Sequence, residues 1–239
     1  MALELGRSVV TEVPTTSKGR RTRTLILSAA RDVLAERGYV ALRMTDVAAR
    51  ADLSLGGLYR YFPNKDALFG ELVEELSTEI GAAASAHGTD FSKDPYTAMY
   101  LSTRGFLEYY RDHRDLMDAW FEAVTTDERY RQQWWATRQA TARTLAGLVE
   151  QCHGINEVDG VSGELVTEAV ISLVEQSAYV WYAKESMRSE TVCPEEGARL
   201  LARILYLTYF SDATIDLRAD GGINPPGGVP WAARGASRR

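Results

Sequence analysis

Cysteine, histidine and long apolar runs are scarce in this chain of 239 residues. The two cysteines, Cys152 and Cys193, lie far apart and have no histidine at metal-ligand spacing, so the sequence indicates neither a disulfide framework nor a zinc site. We interpret them as two buried thiols, with a redox switch as the alternative. No apolar run reaches the length of a membrane span, and residues 1–22 lack the hydrophobic stretch of a secretory leader. We therefore expect a cytoplasmic protein with no membrane partner.

Proline is almost absent from the middle of the chain, where Pro95 is the only one between Asn64 and Glu190. Apolar residues recur there every three or four positions, and alternation typical of strands is hard to find. Asp94 before Pro95, and Thr125 with Glu128, are typical of helix starts. We expect a helix over about 64–85, and a second from 95 to a break near 111–114. A third starts at 116, and a fourth runs from the box of Thr125 with Glu128 to about 151. After a loop at 154–163, two more helices are expected over 164–187 and 194–212. The pattern predicts an all-α fold.

Residues 44–65 have the outline of two short helices joined by a tight turn. Small apolar residues at helical spacing, among them Val47 and Ala51, would let a second helix approach closely. Ser54 is placed to cap that second helix, which we expect from about Leu55 to Tyr61, before Pro63 ends it. This arrangement is the outline of a helix-turn-helix that binds DNA, but the spacing alone fits a plain packing unit equally well.

The segments 23–30, 34–39, 46–48 and 58–68 together resemble the N-terminal domain of TetR-family transcriptional regulators in order and spacing. The resemblance implies a three-helix DNA-binding domain with a helix-turn-helix, followed by a larger helical domain for ligand binding and dimerisation. The expected organisation is a disordered N-terminal arm at 1–17, the DNA-binding domain at 18–64, the effector-binding and dimerisation domain at 65–213, and a disordered tail at 214–239.

The sequence departs from the family pattern at three places. Leu42-Arg43 replaces the usual Thr or Ser before the second helix, so either Arg43 contacts phosphate as a charge or Thr45 takes the capping role. Asp52 replaces the turn glycine and tolerates left-handed torsions. Leu55-Gly56-Gly57 replaces Lys-Gly-Thr, where Leu55 either touches a thymine methyl or serves the scaffold or faces solvent.

Charge supports an interface in the same region. Residues 18–65 carry a net charge of +6, whereas the whole chain carries −6. Arg20 to Arg23 are interpreted as a mobile arm that reaches phosphate or the minor groove. The expected partner is double-stranded DNA, and the expected contacts are Arg23, Arg43, Thr45, Ser54, Leu55, Gly56, Gly57, Tyr59, Arg60, Tyr61 and Lys65.

The last two predicted helices are apolar on more than one face, which indicates cover by a partner as well as by their own domain. We expect a homodimer through residues 164–212, with a buried hairpin in a monomer as the alternative. Aromatic residues in the middle helices suit either a core or an apolar effector pocket. The candidate lining residues are Tyr100, Arg104, Tyr110, Trp120, Trp134, Trp135, Gln139, Gln176 and Trp181, with Glu122 and Glu175 as further polar candidates.

These features predict a repressor that binds a palindromic operator as a dimer and is released by a small, largely apolar effector, hydrophobic or aromatic. The alternatives are a regulator without an effector and an activator. An enzyme is not expected, because the sequence contains no nucleophile–base set, phosphate-cradling loop or metal-ligand cluster, and it implies no cofactor.

Overall fold

A computed structural model describes residues 16–86, 88–183 and 190–211, together with the backbone of two short strands nearer the C-terminus. The helices in this described part are α1 Ser17–Arg37, α2 Met44–Arg50, α3 Leu55–Tyr59, α4 Lys65–Ala83, α5 Pro95–Asp112, α6 Arg114–Thr126, α7 Glu128–His153, α8 Gly163–Tyr182 and α9 Pro194–Phe210. The all-α prediction is confirmed. None of these helices is both long and apolar enough to cross a membrane.

Two short antiparallel strand pairs occur outside the helices. The strands β1 Glu157–Val158 and β2 Val161–Ser162 form a hairpin within the predicted loop at 154–163. The strands β3 Asp216–Leu217 and β4 Ile223–Asn224 pair within the predicted tail. The rest of that tail, like most of the predicted N-terminal arm and the end of the predicted 164–187 helix, lies outside the described residues.

Most helix starts follow the expected capping chemistry. The side chains of Ser54, Asn64 and Asp94 each accept a hydrogen bond from a backbone N–H in the first turn of α3, α4 and α5. The expected box of Thr125 with Glu128 is wrong, because Asp127 caps α7 and the Thr125 hydroxyl donates back to carbonyls within α6.

The interpretation of residues 20–23 as a mobile arm is also wrong. They lie inside α1, which begins at Ser17 because the Thr16 hydroxyl accepts from the Gly19 N–H at 3.1 Å. Helix α1 therefore begins about two turns earlier than the sequence pattern indicated, and residues 20–23 belong to it.

The N-terminal module, helices α1–α3, packs its own apolar core onto the start of α4. Its most deeply buried side chains come from all four helices and the loop before α4: Ile26, Ala30, Val47, Leu58, Phe62 and Leu68. Small residues at Ala48 and Ala51 let α1, α2 and α3 approach closely, as the spacing predicted. The module is thus positioned by packing within one chain.

The C-terminal helices pack as α5 against α9 and α7 against α8, with α5 also touching α4 and α8. Two glycines permit close approach. A Cβ on Gly105 would lie 1.8 Å from the Ala83 carbonyl oxygen at the end of α4, and one on Gly197 would lie 2.7 Å from the Trp181 ring. A larger residue at Gly105 would push α5 away from the end of α4, and one at Gly197 would push α9 away from α8.

Candidate nucleic-acid interface and effector domain

Helix α2 begins without a side-chain cap. Arg43 occupies the cap position, is exposed, and makes no capping hydrogen bond, while Thr45 lies inside the first turn of the helix. The alternative in which Thr45 caps this helix is therefore wrong. An uncapped, exposed helix start beside an arginine leaves backbone N–H groups and a positive charge available to an anion.

Helix α3 is a five-residue helix that ends at Tyr59, two residues before the predicted end. The Ser54 hydroxyl accepts from the Gly57 N–H at 3.1 Å, and the preceding Asp52 adopts a φ of 54°, so both turn predictions are confirmed. Leu58 anchors the helix in the core. A Cβ on Gly56 would meet nothing within 4 Å, so the backbone there faces open space.

The residues around Leu58 point outward. Leu55 and Arg60 are exposed, Tyr59 is 45% exposed, and Tyr61 is half-buried. Leu58 thus fixes a short ridge on which apolar, phenolic and cationic groups project from one surface.

Arg23 does not face solvent, contrary to its prediction as a DNA contact. Its side chain is only 11% exposed, its Nε donates to Glu71 at 2.8 Å, and its guanidinium lies 4.5 Å from the centre of the Phe62 ring. One nitrogen also reaches the Tyr61 carbonyl at 3.5 Å. The guanidinium therefore holds α1, α4 and the end of the helix-turn-helix together.

Lys65 is likewise turned inward. Its Nζ donates to the Tyr39 carbonyl at 2.5 Å and lies 4.0 Å from the centre of the Tyr39 ring, and burial lowers the pKa of the Lys65 ammonium. A direct phosphate contact from Lys65, as predicted, would require this bond to break.

The loop after α1 is held by the C-terminal domain, a connection that the sequence pattern did not reveal. The Tyr39 N–H donates to the Glu122 carboxylate at 2.6 Å, and Gly38 adopts a φ of 75°. A Cβ on Gly38 would lie 2.3 Å from that carboxylate. Glu122, suggested above as a pocket group, therefore belongs to this contact, which we call the Tyr39 junction: Gly38, Tyr39, Lys65 and Glu122.

Further ion pairs surround the Tyr39 junction. Arg129 of α7 binds the Asp66 carboxylate at 2.7 and 3.0 Å and that of Asp127 at 2.7 Å. These hydrogen bonds lower the pKa of Asp127 to about 2. Together, these ion pairs and the Tyr39 junction join α4, α6 and α7.

A second set of bonds ties α4 to α1 and α5. Arg31 of α1 donates to the carboxylates of Glu75 and Glu79, at 2.9–3.2 Å, and the Tyr109 hydroxyl donates to Glu79 at 2.6 Å. A movement of α5 would therefore reach α1 through Glu79 and Arg31. A movement of α6 would reach the end of α1 through the Tyr39 junction.

The C-terminal domain contains an ion pair of which only Glu175, and not Arg138, was a candidate polar residue from the sequence. Arg138 of α7 is almost fully buried and bonds to the Glu175 carboxylate and the Ser172 hydroxyl of α8. It also donates to the Glu168 carbonyl at 3.2 Å and lies 5.4 Å from the Trp134 ring. Arg138 lies on the buried face of α7 together with Tyr130, Ala142 and Val149, but the arginine by itself did not indicate this role in the sequence.

Tyr110 of α5 has a buried hydroxyl for which no hydrogen-bond partner is present. Its side chain is 1% exposed, and it neighbours the rings of Phe106 and Tyr182. Buried hydroxyls usually have a partner, so this group is unsatisfied in the described structure.

The nine predicted lining residues do not converge on one site. Trp120 packs with Phe69 and Tyr130 in the core, whereas Arg104 pairs with Glu108 and Glu195 at the surface. Trp135 and Gln176 are exposed, Trp181 contacts Gly197, and Tyr100 and Gln139 are half-buried. Of these nine, Tyr110 carries the unsatisfied hydroxyl and Trp134 lies beside Arg138.

The cysteines differ from each other. Cys152 is half-buried, but Cys193 is exposed and its Sγ donates to Glu195 at 2.6 Å. The expectation of two buried thiols is therefore wrong for Cys193, because it precedes α9 at the surface.

A short exposed helix held by a capped turn, with an uncapped basic helix start before it, is the arrangement of a helix-turn-helix module. Residues 26–72 match the family model described as bacterial regulatory proteins, tetR family. The chain is 30% identical over 175 residues to the HTH-type transcriptional repressor Rv1474c of Mycobacterium tuberculosis, a match covering 65% of this chain and 91% of that one. The chain belongs to the TetR family of transcriptional regulators.

Other similar proteins match over different shares of their length. The chain is 38% identical over 78 residues to the transcriptional repressor KstR of Mycolicibacterium smegmatis, covering 31% of this chain and only 38% of KstR. Among solved structures, the repressor NalD of Pseudomonas aeruginosa aligns with a TM-score of 0.59 at 17% identity, over 82% of this chain and 100% of that one. These relatives are named as transcriptional regulators, in agreement with the prediction that the chain is not an enzyme.

Proposed function

We propose that this protein is a DNA-binding transcriptional repressor that acts as a dimer on a palindromic operator and is released by a small, largely apolar effector. The observation that carries the proposal is the exposed ridge on α3, where Leu55, Tyr59 and Arg60 project from a helix fixed by the buried Leu58. Relatives of this chain are named as repressors, which favours repression over activation.

The α3 ridge suits the major groove, with the open backbone at Gly56 allowing close approach to DNA. Arg60 and Tyr59 are the proposed contacts from this helix, and Arg43 is the proposed phosphate contact at the start of α2. Thr45, Ser54 and Gly57 lie at the same surface, where Ser54 and Gly57 serve mainly to hold the turn. Arg23 and Lys65 support this surface from behind.

Dimerisation through α8 and α9 is supported by apolar side chains that these helices leave exposed: Leu165, Leu173, Tyr179, Val180, Leu200, Ile204 and Leu207. Large exposed apolar patches on soluble domains mark interaction sites. A two-fold axis through such a patch would present two α3 helices about 34–36 Å apart, one turn of DNA.

Release by an effector requires that ligand binding and DNA binding favour different arrangements of the same chain. The Tyr39 junction provides a route, because Glu122 of α6 holds the loop that in turn holds Lys65. An effector that shifts α6 would weaken this grip and alter the spacing of the two modules.

Salt-dependent binding tests the DNA interface. On an operator selected from random DNA, Arg60→Ala should reduce affinity and lower the slope of log affinity against log salt by about 1, because one phosphate contact is lost. Arg143→Ala is the control, since Arg143 is an exposed arginine on α7 far from α3 in sequence. Equal losses for both variants, or no selected operator at low salt, would contradict the proposal.

A further inference from the structure

The unsatisfied Tyr110 hydroxyl is the strongest indication of a ligand in the C-terminal domain. Its oxygen is fully buried and without a partner, although a phenylalanine at the same place would fill similar space with no polar atom. A buried hydroxyl without a partner destabilises the folded chain unless something binds it. Packing alone therefore does not explain why position 110 is a tyrosine.

The surroundings of Tyr110 are aromatic. The Phe106 and Tyr182 rings have their centres 6.1 and 6.5 Å from that of Tyr110, and Tyr179 of α8 packs edge-on against Phe121 of α6 at 5.9 Å. Aromatic side chains of α5 and α8 thus flank Tyr110, and a second aromatic pair joins α6 to α8. Such walls suit a ring compound better than a flexible polar one.

The buried charges nearby are already matched to each other. Arg138 binds the Glu175 carboxylate and also donates hydrogen bonds to the Ser172 hydroxyl and the Glu168 carbonyl. An anionic ligand would therefore have to displace Glu175 from Arg138, and a cationic ligand would have to displace Arg138 from Glu175. Displacing Arg138 would leave an almost fully buried charge without its partner, which is strongly unfavourable, and displacing Glu175 would break a bond that Arg138 already makes.

Tyr110 is also set to donate. Burial raises the pKa of its hydroxyl, and the neighbouring carboxylates of Asp118 and Glu175 act in the same direction, so the proton stays on the oxygen at neutral pH. A neutral phenol both donates and accepts, and a ligand oxygen beside it would take up the hydrogen bond that it donates.

We propose that the effector is an uncharged ring compound carrying a hydroxyl or carbonyl oxygen that accepts a hydrogen bond from Tyr110. The ring lies beside the side chains of Phe106 and Tyr182, and the Arg138–Glu175 pair stays intact when the effector binds. That this effector releases DNA rests on the proposed function, whereas its binding to the protein is measured without DNA.

The test compares two probes of similar shape, 2-naphthol and 2-methylnaphthalene, on the full chain and on Tyr110→Phe. Tryptophan fluorescence titration should show at least tenfold tighter binding of 2-naphthol by the unchanged protein, and no such preference in the variant. Without ligand, Tyr110→Phe should melt at a higher temperature, because the unsatisfied hydroxyl is gone. Tyr209→Phe is the matched control, because the Tyr209 hydroxyl already hydrogen-bonds to that of Thr167 at 2.7 Å and Tyr209 is not part of the proposed lining; it should keep the preference for 2-naphthol.

Three results would overturn the proposal: equal affinity of the unchanged protein for both probes, tighter binding of 2-naphthoate or 2-naphthylmethylammonium than of 2-naphthol, or no binding of either neutral probe up to its solubility limit. DNA binding is then measured separately by fluorescence anisotropy. If 2-naphthol binds in a Tyr110-dependent way but leaves DNA affinity unchanged, the ligand class stands and the proposed release by an effector fails.

Discussion

Large apolar side chains are buried in the N-terminal module but exposed on the α8–α9 face. In the module, residues such as Phe62 and Leu58 are completely buried by neighbours from the same chain. On α8 and α9, large apolar side chains stay in contact with solvent, and Leu200 is 54% exposed. The difference indicates that the module is complete in one chain, whereas the α8–α9 face is completed by a partner.

The largest effect is expected inside the module. Phe62→Ala should lower the free energy of unfolding by about 3–5 kcal/mol, because it leaves a cavity and removes the ring beneath the Arg23 guanidinium. Urea denaturation measures the loss. Leu25→Ala, at a residue 50% exposed on α1, is the control and should change stability by less than about 0.5 kcal/mol. Similar losses in both variants would remove the contrast between buried and exposed positions.

A charge on the α8–α9 face should come next in size. Leu200→Glu should convert the dimer to a monomer in sedimentation velocity and weaken operator binding about a hundredfold, since about 3 kcal/mol of coupling between two half-sites is lost. Leu25→Glu places the same charge on a comparably exposed leucine of α1 and should leave the oligomeric state unchanged. A Leu200→Glu dimer would show that this face is not the interface.

A smaller effect is expected where the two regions meet. Glu122→Ala leaves the Tyr39 N–H without its acceptor, at a cost of about 1–3 kcal/mol, and should weaken operator binding about tenfold without dissociating the dimer. Glu122→Gln keeps an accepting oxygen and should restore most of the DNA affinity. If all three proteins bind the operator equally, Glu122 affects stability alone and the junction does not position the module.

The smallest effect concerns acid pH. The pKa of Asp127 is lowered to about 2 by its bonds to Arg129, so its contribution is fully present above about pH 4 and disappears as the pH falls through about 2. Asp127→Asn keeps the cap on α7 but loses this charge. Its deficit in unfolding free energy, less than about 1 kcal/mol at pH 6, should vanish near pH 2. A deficit that is constant across this range would contradict the assignment.

Local signals predicted the module well. The cap at Ser54, the left-handed turn at Asp52 and the buried face containing Val47 and Ala51 follow from residue type and spacing. Each depends on residues only a few positions apart, which is why sequence reasoning reached them.

Contacts between distant segments were not predictable in the same way. Arg23 and Lys65 are basic residues in a basic segment, yet Glu71 and the Tyr39 carbonyl hold them inward. The bond from Tyr39 to Glu122 spans 83 positions, and no periodic pattern reports it. The ligand-lining set stays a prediction for the same reason, because an aromatic residue in a core and one in a pocket have the same spacing.

The central claim is that two modules act together on DNA because the α8–α9 faces join two chains. The most direct measurement is binding to an operator selected from random DNA, and to the same operator with 5 base pairs inserted at its centre. We predict two chains per duplex and a loss of most of the affinity on insertion, because half a turn of DNA rotates one half-site away from its module. One chain per duplex, or affinity unchanged by the insertion, would contradict the claim.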